Sequence, residues 1–230
     1  MKALLPTLAC FIGLGVALNL AARAEGLDEA QRKSIAELAG TPGDFDLIHL
    51  VWRFGRVPPP KGEELAAMQS QVFAFPGWEE RLWNRLSALA REAEAEVELN
   101  RRDPRLQGSM KALPKFNLLL SRVAWIRSEK VAPLILPFLD SPSIGFGGGD
   151  VVYSGLRDCA VSGVVVLTLG NVPLNPPAPR PGSEQEWRDW WAAYKRANKM
   201  KHAYHSVLGE GGAAGTGLPS SASPRSIRQE

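Results

Sequence analysis

The stretch PKFNLLLSRVAWIRSEKVAPLILPFLDSP (residues 114–142) decides the fold class. Apolar residues recur in it at spacings of three and four, the period of an amphipathic α-helix, on both sides of the polar Ser128-Glu129-Lys130. It therefore predicts two helices, the second of which ends at Asp140-Ser141-Pro142. Their apolar faces are formed by Phe116, Leu119, Leu120, Val123 and Ile126, and by Val131, Leu134, Ile135, Phe138 and Leu139.

A third helix is predicted over residues 156–169. The run Val164-Val165-Val166 lowers its helix propensity, which leaves a strand as the alternative there. Residues 145–149 are expected to form a loop, after which Asp150 begins or caps the helix. One narrow face of small residues lets helix axes approach closely, so this helix should lie centrally in the stack. That face consists of Leu156, Cys159, Ala160, Gly163, Val164 and Leu167.

Towards the N-terminus, apolar spacing predicts four more helices. Asp28 can cap the first of them, and successive prolines at 58–60 form a stiff connector before the third. On the fourth, four alternating glutamates are expected to form a solvated, charged face. The helices cover residues 27–39, 44–54, 63–73 and 78–99, and the glutamates are Glu92, Glu94, Glu96 and Glu98.

The C-terminal part combines a proline-rich loop, an aromatic helix and a tail. The loop is predicted for residues 171–183, and the last helix runs from Glu184 to His205 with four aromatic residues on one face. Residues 209–230 contain mostly Gly, Ser, Ala and Pro, which predicts a disordered tail. The aromatic residues are Trp187, Trp190, Trp191 and Tyr194.

The N-terminus has the three parts of a cleavable signal peptide. Lys2 precedes an apolar run to Leu20, and Ala22-Arg23-Ala24 supplies the small residues before the cut. The run is too short and too rich in glycine for a permanent membrane span, which needs about 20 apolar residues. We expect cleavage after Ala24, a periplasmic or secreted protein, and no transmembrane span after cleavage.

Without residues 1–24 the chain carries 25 basic and 24 acidic residues, a net charge of +1. This balance does not favour nucleic-acid binding. Residues 25–208 are long enough for one domain with its own core. The sequence thus predicts an all-α domain between a signal peptide and a tail.

Residues 131–142 (VAPLILPFLDSP) resemble the second helix of a HEAT-type repeat, with residues 116–128 as the first. The helix at 156–169, the proline-rich loop and the WRDWW stretch at 187–191 are similar to exported bacterial HEAT-like repeat proteins, where a W-x-x-W-W helix closes the unit. The resemblance covers residues 115–198 and implies a short α-α superhelix that binds proteins, with no catalytic residues to transfer. The long helix at 78–99 and the tryptophan helix are suited to capping such a stack.

No set of residues has the pattern of a catalytic or metal site. Cys159 is expected to be a small buried side chain, and His49 a hydrogen-bonded core residue. His202 and His205 could share a metal ion, but no carboxylate partner is evident, and both are expected to be exposed. Acids at helix starts explain Asp44, Asp46, Glu79 and Glu80. We expect no enzyme activity, metal or cofactor.

Two regions are candidates for contact with a partner. The first is the glycine-rich loop, which lacks a phosphate-loop pattern and is interpreted either as a flexible connector or as a contact loop. The second is the aromatic helix, which could stack on sugars or contact an anionic envelope surface, although tryptophan at helical spacing is more typical of a core. Their residues are Phe146, Gly147, Gly148, Gly149 and Asp150, and Trp187, Arg188, Trp190, Trp191, Tyr194 and Lys195.

These observations favour an exported helical adaptor or scaffold that binds another envelope or secreted protein. The alternative is a module that binds envelope glycan or a membrane surface through the C-terminal tryptophan and basic residues. A small periplasmic enzyme with a dispersed site is the second alternative.

Overall fold

The computed structural model describes residues 27–102, 110–141, 146–148, 151–153, 155–179 and 183–208. The predicted signal peptide (1–24) and the predicted tail (209–230) lie outside the described residues. Within the described part the chain is all-α, apart from one two-stranded hairpin.

The described helices match the predicted series closely in order and type. They are α1 (Glu29–Ala39), α2 (Phe45–Trp52), α3 (Gly62–Phe73), α4 (Trp78–Arg102), α5 (Ala112–Ala124), α6 (Ala132–Ile135), α7 (Leu156–Leu169) and α8 (Glu184–Ala197). Short 3-10 turns lie at Pro42–Asp44, Arg53–Gly55, Glu129–Val131 and Leu136–Asp140.

The ends of α1 illustrate how local chemistry sets the boundaries. Gln31 donates its backbone N–H to the Asp28 carboxylate at 2.7 Å, and the Gln31 side chain accepts the Asp28 N–H at 3.2 Å. This reciprocal pair satisfies two amides that a helix start leaves open. Gly40 ends the helix with φ +72°, which a residue with a Cβ rarely adopts. The predicted cap is confirmed.

The helix predicted over residues 131–139 is interrupted. Only Ala132–Ile135 is α-helical, and 3-10 turns precede and follow it. Pro133 and Pro137 each lie in the first positions of a new turn, because a proline has no N–H to continue the preceding one. The apolar face is nevertheless buried as expected, from Val131 to Leu139.

Helix α7 lies at the centre of the C-terminal half. A Cβ at Gly163 would stand 3.0 Å from Ile135 Cγ2, 3.6 Å from Leu120 Cδ2 and 3.8 Å from Ala124 Cβ. Glycine therefore permits the close approach of α7 to α5 and α6 that its small residues predict. Val164–Val166 are helical, so the strand alternative is wrong.

The glycine-rich region differs from the prediction of a loop. Residues Phe146–Gly148 (β1) pair antiparallel with Val151–Tyr153 (β2), with Phe146 opposite Tyr153. Helix α7 begins at Leu156 with Gly155 as its N-cap, and Asp158 accepts the Gly155 N–H at 2.9 Å. The expectation that Asp150 caps this helix is therefore wrong. Gly149 and Asp150 lie outside the described residues.

The aromatic helix is shorter than predicted. It ends at Ala197, so the predicted continuation to His205 is wrong. Asn198 turns the backbone to an extended conformation, and its side chain donates to the Asn175 carbonyl at 2.6 Å and the Tyr194 carbonyl at 3.0 Å. Residues 198–208, the C-terminal strap, then run back to α4.

Candidate interaction surfaces

The three tryptophans of α8 are buried, with 5–7% of each residue exposed. Trp191 Nε1 donates to Asp140 Oδ1 at 2.8 Å, and Trp190 Nε1 donates to the Pro176 carbonyl at 3.0 Å. The indoles of Trp190 and Trp191 thus combine a large apolar area with a satisfied N–H. The expectation that these residues belong to the core is confirmed.

The polar residues of the same helix are exposed but engaged. Arg188 pairs with Glu184 at 2.5 Å, and Lys195 pairs with Asp140 at 2.7 Å while lying 5.0 Å above the Trp191 ring. The Arg188 hydrogen bond holds the pKa of Glu184 below its usual value. Burial raises the pKa of the half-buried Tyr194. The structure therefore places the six residues of this candidate surface mostly in internal contacts.

The C-terminal strap is anchored by His202, whose predicted exposure is wrong. The residue is only 7% exposed, and its ring stacks on Trp83 with centroids 4.6 Å apart. His202 Nε2 lies 3.3 Å from Glu79 Oε1, and Lys201 Nζ lies 2.8 Å from Glu79 Oε2. His205 is exposed as expected, and His49 is buried at 4%.

A second carboxylate, Glu94, binds the far end of the strap. It is 2% exposed and accepts the Val207 N–H at 2.7 Å and the Ser141 hydroxyl at 3.1 Å. Tyr204 packs between these anchors, 4.8 Å from the Phe138 ring. Burial and the nearby Glu94 charge raise the pKa of Tyr204.

The predicted solvated glutamate face of α4 is thus partly wrong. Glu94 is internal, and Glu96 accepts the backbone N–H groups of Lys111 and Ala112 at 2.9 Å each, where α5 begins. The burial of Glu94 could have been predicted from the sequence, because Glu94 follows Ala90 by four residues and precedes Val97 by three. Those spacings put it on the apolar stripe.

The other candidate chemistry has structural explanations. Cys159 is 3% exposed, and burial, with the Asp158 charge second, raises the pKa of its thiol to about 12. A thiol in this state is a poor nucleophile. Asp44 accepts from Arg81 at 2.6 Å and from Thr41 at 2.8 Å. In the part of the chain that the structure describes, no three His, Cys, Asp or Glu residues are grouped to hold a metal ion.

Comparison with known proteins gives no relative. No family model, curated protein or solved structure matches the chain. The resemblance to HEAT-like repeat proteins therefore stays a prediction.

Helix α7 presents a surface that the sequence interpretation missed. Its outward positions, the α7 face, are Val161, Ser162, Val165, Val166 and Leu169. Of these, Val161 and Val166 are only partly exposed and also pack against the core. Leu169 is 78% exposed and Val165 is 39% exposed. No charged residue occurs between Asp158 and Gly170. The signal was present, because a helix with apolar residues around its whole circumference must either be enclosed or leave some of them exposed.

Arg127 lies against the end of this face. A Cβ at Gly170 would stand 2.9 Å from Arg127 Cγ and Cδ, so the arginine stem covers the residue that follows Leu169. The guanidinium carbon lies 4.4 Å from the centre of the Trp125 ring. Its Nε is buried and has no hydrogen-bond acceptor among the described residues. The α7 face therefore ends beside a fixed cation.

None of the helices in the described ranges has both the length and the apolar character to cross a bilayer.

Proposed function

We propose that this chain is an exported helical adaptor that binds another envelope or secreted protein through the α7 face. The observation that carries the proposal is the uncharged, partly exposed surface from Val161 to Leu169. Contiguous exposed apolar surface on a folded domain is typical of a protein-binding site.

The packing of the helices supports this choice of surface. In a helical stack each helix pair buries its apolar face against the next pair. Helix α7 packs on α5 and α6 with its inner face. The α8 tryptophans hydrogen-bond to Asp140 and Pro176, while Leu169 on the outer side of α7 remains exposed. A partner helix could occupy the place of the next pair.

The glycan- or membrane-binding alternative is favoured by a different surface. Residues 195–200 line an open concavity of about 750 Å³ that includes Lys195, Arg196 and Lys199. Cations of this kind can attract an anionic surface. The three tryptophan rings of α8 are buried, so this helix offers no exposed indole on which a sugar could stack. We therefore place this function second.

Charge placed on the α7 face provides the test. We expect Val165→Asp and Leu169→Asp to abolish recovery of a stoichiometric protein from envelope extract, because a carboxylate would have to be desolvated in the interface. Both variants should melt near wild type, since the residues are exposed. Leu99→Asp is the matched control, because Leu99 is also exposed, at 56%, but lies on α4.

Two results would contradict the proposal. One is a partner that both α7 variants retain. The other is retention of wild type and variants alike on isolated envelope material with no protein partner, which would favour the concavity at residues 195–200.

A further inference from the structure

In the part of the chain that the structure describes, four arginines lie over glycines, and their hydrogen bonding divides them into two pairs. Arg85 covers Gly40 and donates to the carbonyls of Leu38 at 2.6 Å and Glu37 at 3.0 Å. Arg81, near Gly43, donates to Asp44 at 2.6 Å. These two guanidinium groups hold the N-terminal helices on α4, and their role is structural.

Arg122 and Arg127 are different. Each stacks on a tryptophan, Trp52 at 4.7 Å and Trp125 at 4.4 Å, and covers a glycine, Gly55 and Gly170 respectively. Within the described ranges the buried Nε of Arg127 has no hydrogen-bond acceptor, and burial, without a charged or hydrogen-bonding partner, lowers the pKa of Arg122. Of these two, Arg127 lies at the end of the α7 face, against the residue after Leu169.

We propose that Arg127 receives a carboxylate of the protein segment that occupies the α7 face, an inference that rests on the proposed function. The occupant is a helical segment with apolar side chains one turn apart and an aspartate or glutamate at the end that meets Arg127.

The chemistry of the arginine favours a carboxylate. A guanidinium presents paired N–H groups that match the two oxygens of a carboxylate. The indole of Trp125 and the backbone at Gly170 restrict the arginine stem, so little side-chain freedom is lost when an acceptor arrives. The α7 face itself has no charge between Asp158 and Gly170, so a cation beside its end, such as Arg127, favours an acidic residue in the occupant.

The test is a selection from a displayed library of random 12-residue peptides on the full chain. We expect enriched peptides to carry apolar residues at a spacing of four with an acid one turn away, and to lose binding to Val165→Asp. Replacing that acid by its amide, or Arg127 by Gln, should each weaken binding about tenfold. Combining both changes should add little, because each removes the same contact.

The peptide change leaves the protein intact, so the test stands even if Arg127→Gln lowers stability. Arg127→Lys keeps the charge but not the fork, and we expect intermediate affinity. Peptides that need Val165 but have no acid preference would overturn the role of Arg127 and leave the proposed function standing. A selection without any Val165-dependent peptide would overturn both. Dimerisation of wild type that Val165→Asp abolishes would identify a second copy as the occupant and contradict this inference.

Discussion

The helix α8 and the C-terminal strap that follows it are adjacent in sequence, yet they are held by different physical means. Helix α8 contributes three tryptophans that are buried to at least 93%. The strap contributes Tyr204 and His202, but its ends are fixed by two carboxylates of α4, Glu79 and Glu94. The comparison shows that apolar area attaches one region and localised polar contacts help to attach the other, so the two should respond differently to mutation and pH.

The largest expected effect belongs to α8. Trp191→Ala removes a buried indole and its hydrogen bond to Asp140. Truncation of a buried tryptophan costs about 3–5 kcal/mol, a large part of the roughly 5–15 kcal/mol that keeps a domain folded. We expect the midpoint of denaturant unfolding to fall sharply, or the protein to become insoluble. An unchanged midpoint would contradict the core position of this ring.

The next effect concerns the strap and is smaller. Glu94→Ala leaves the Val207 N–H and the Ser141 hydroxyl without their acceptor. Losing hydrogen bonds to a buried charged group costs about 2–3 kcal/mol. We expect a lower unfolding midpoint and faster proteolysis after Lys199 or Lys201, because the strap is released.

Glu92→Ala is the matched control for Glu94, since it lies two residues away on the same helix. Its side chain is 57% exposed, and its ion-pair contact with Arg85 is long at 3.8 Å. A surface pair of this kind contributes little to stability. If both alanine variants behave alike, burial of Glu94 does not fix the strap.

The third prediction separates the two regions by pH. Burial opposes ionisation of Glu79, but contacts with Lys201 and His202 outweigh it and hold its pKa below the usual value of a glutamate. The folded state therefore favours the carboxylate, and its stabilisation is present above about pH 4.5 and lost as the pH falls through the lowered pKa.

Comparing Glu79→Gln with wild type tests this linkage. We expect the difference in unfolding midpoint between the two proteins to shrink as the solution is acidified below about pH 4.5, because the wild-type carboxylate becomes neutral. A difference that stays constant through this range would show that the ion pairs with the strap do not contribute.

The contrast between the regions also explains what could be predicted from the sequence. The tryptophans of α8 recur with helical spacing, so their shared face follows from periodicity alone. The contact of His202 with Glu79 joins residues 123 positions apart, and nothing local to either residue indicates it. Helix α8 ends at its C-cap Asn198, whose side chain donates to the Tyr194 carbonyl of the last turn and to the carbonyl of the distant Asn175.

The candidate sites divide in the same way. The burial of Cys159 and Trp191 follows from apolar spacing, and both were predicted. The exposed α7 face could have been found, because its helix is apolar on all sides. The role of Arg127 could not have been predicted. Its position depends on a tertiary contact between its side chain and Gly170, the residue that follows Leu169 at the end of α7.

The smallest expected effect lies beyond the strap. Residues 209–230 contain almost no large apolar side chains, so we predict that they bury little and stabilise little. Deleting residues 211–230 should leave the thermal midpoint unchanged within error.

Deleting residues 203–230 is the matched comparison, because it also removes Tyr204 and the Val207 N–H that binds Glu94. That chain should melt several degrees lower, since about 1 kcal/mol shifts the midpoint of a domain this size by roughly 2–4 °C. A loss of stability in the shorter deletion would mean that the tail packs on the domain. Equal stability of both truncated chains and wild type would instead remove the strap from the folded core.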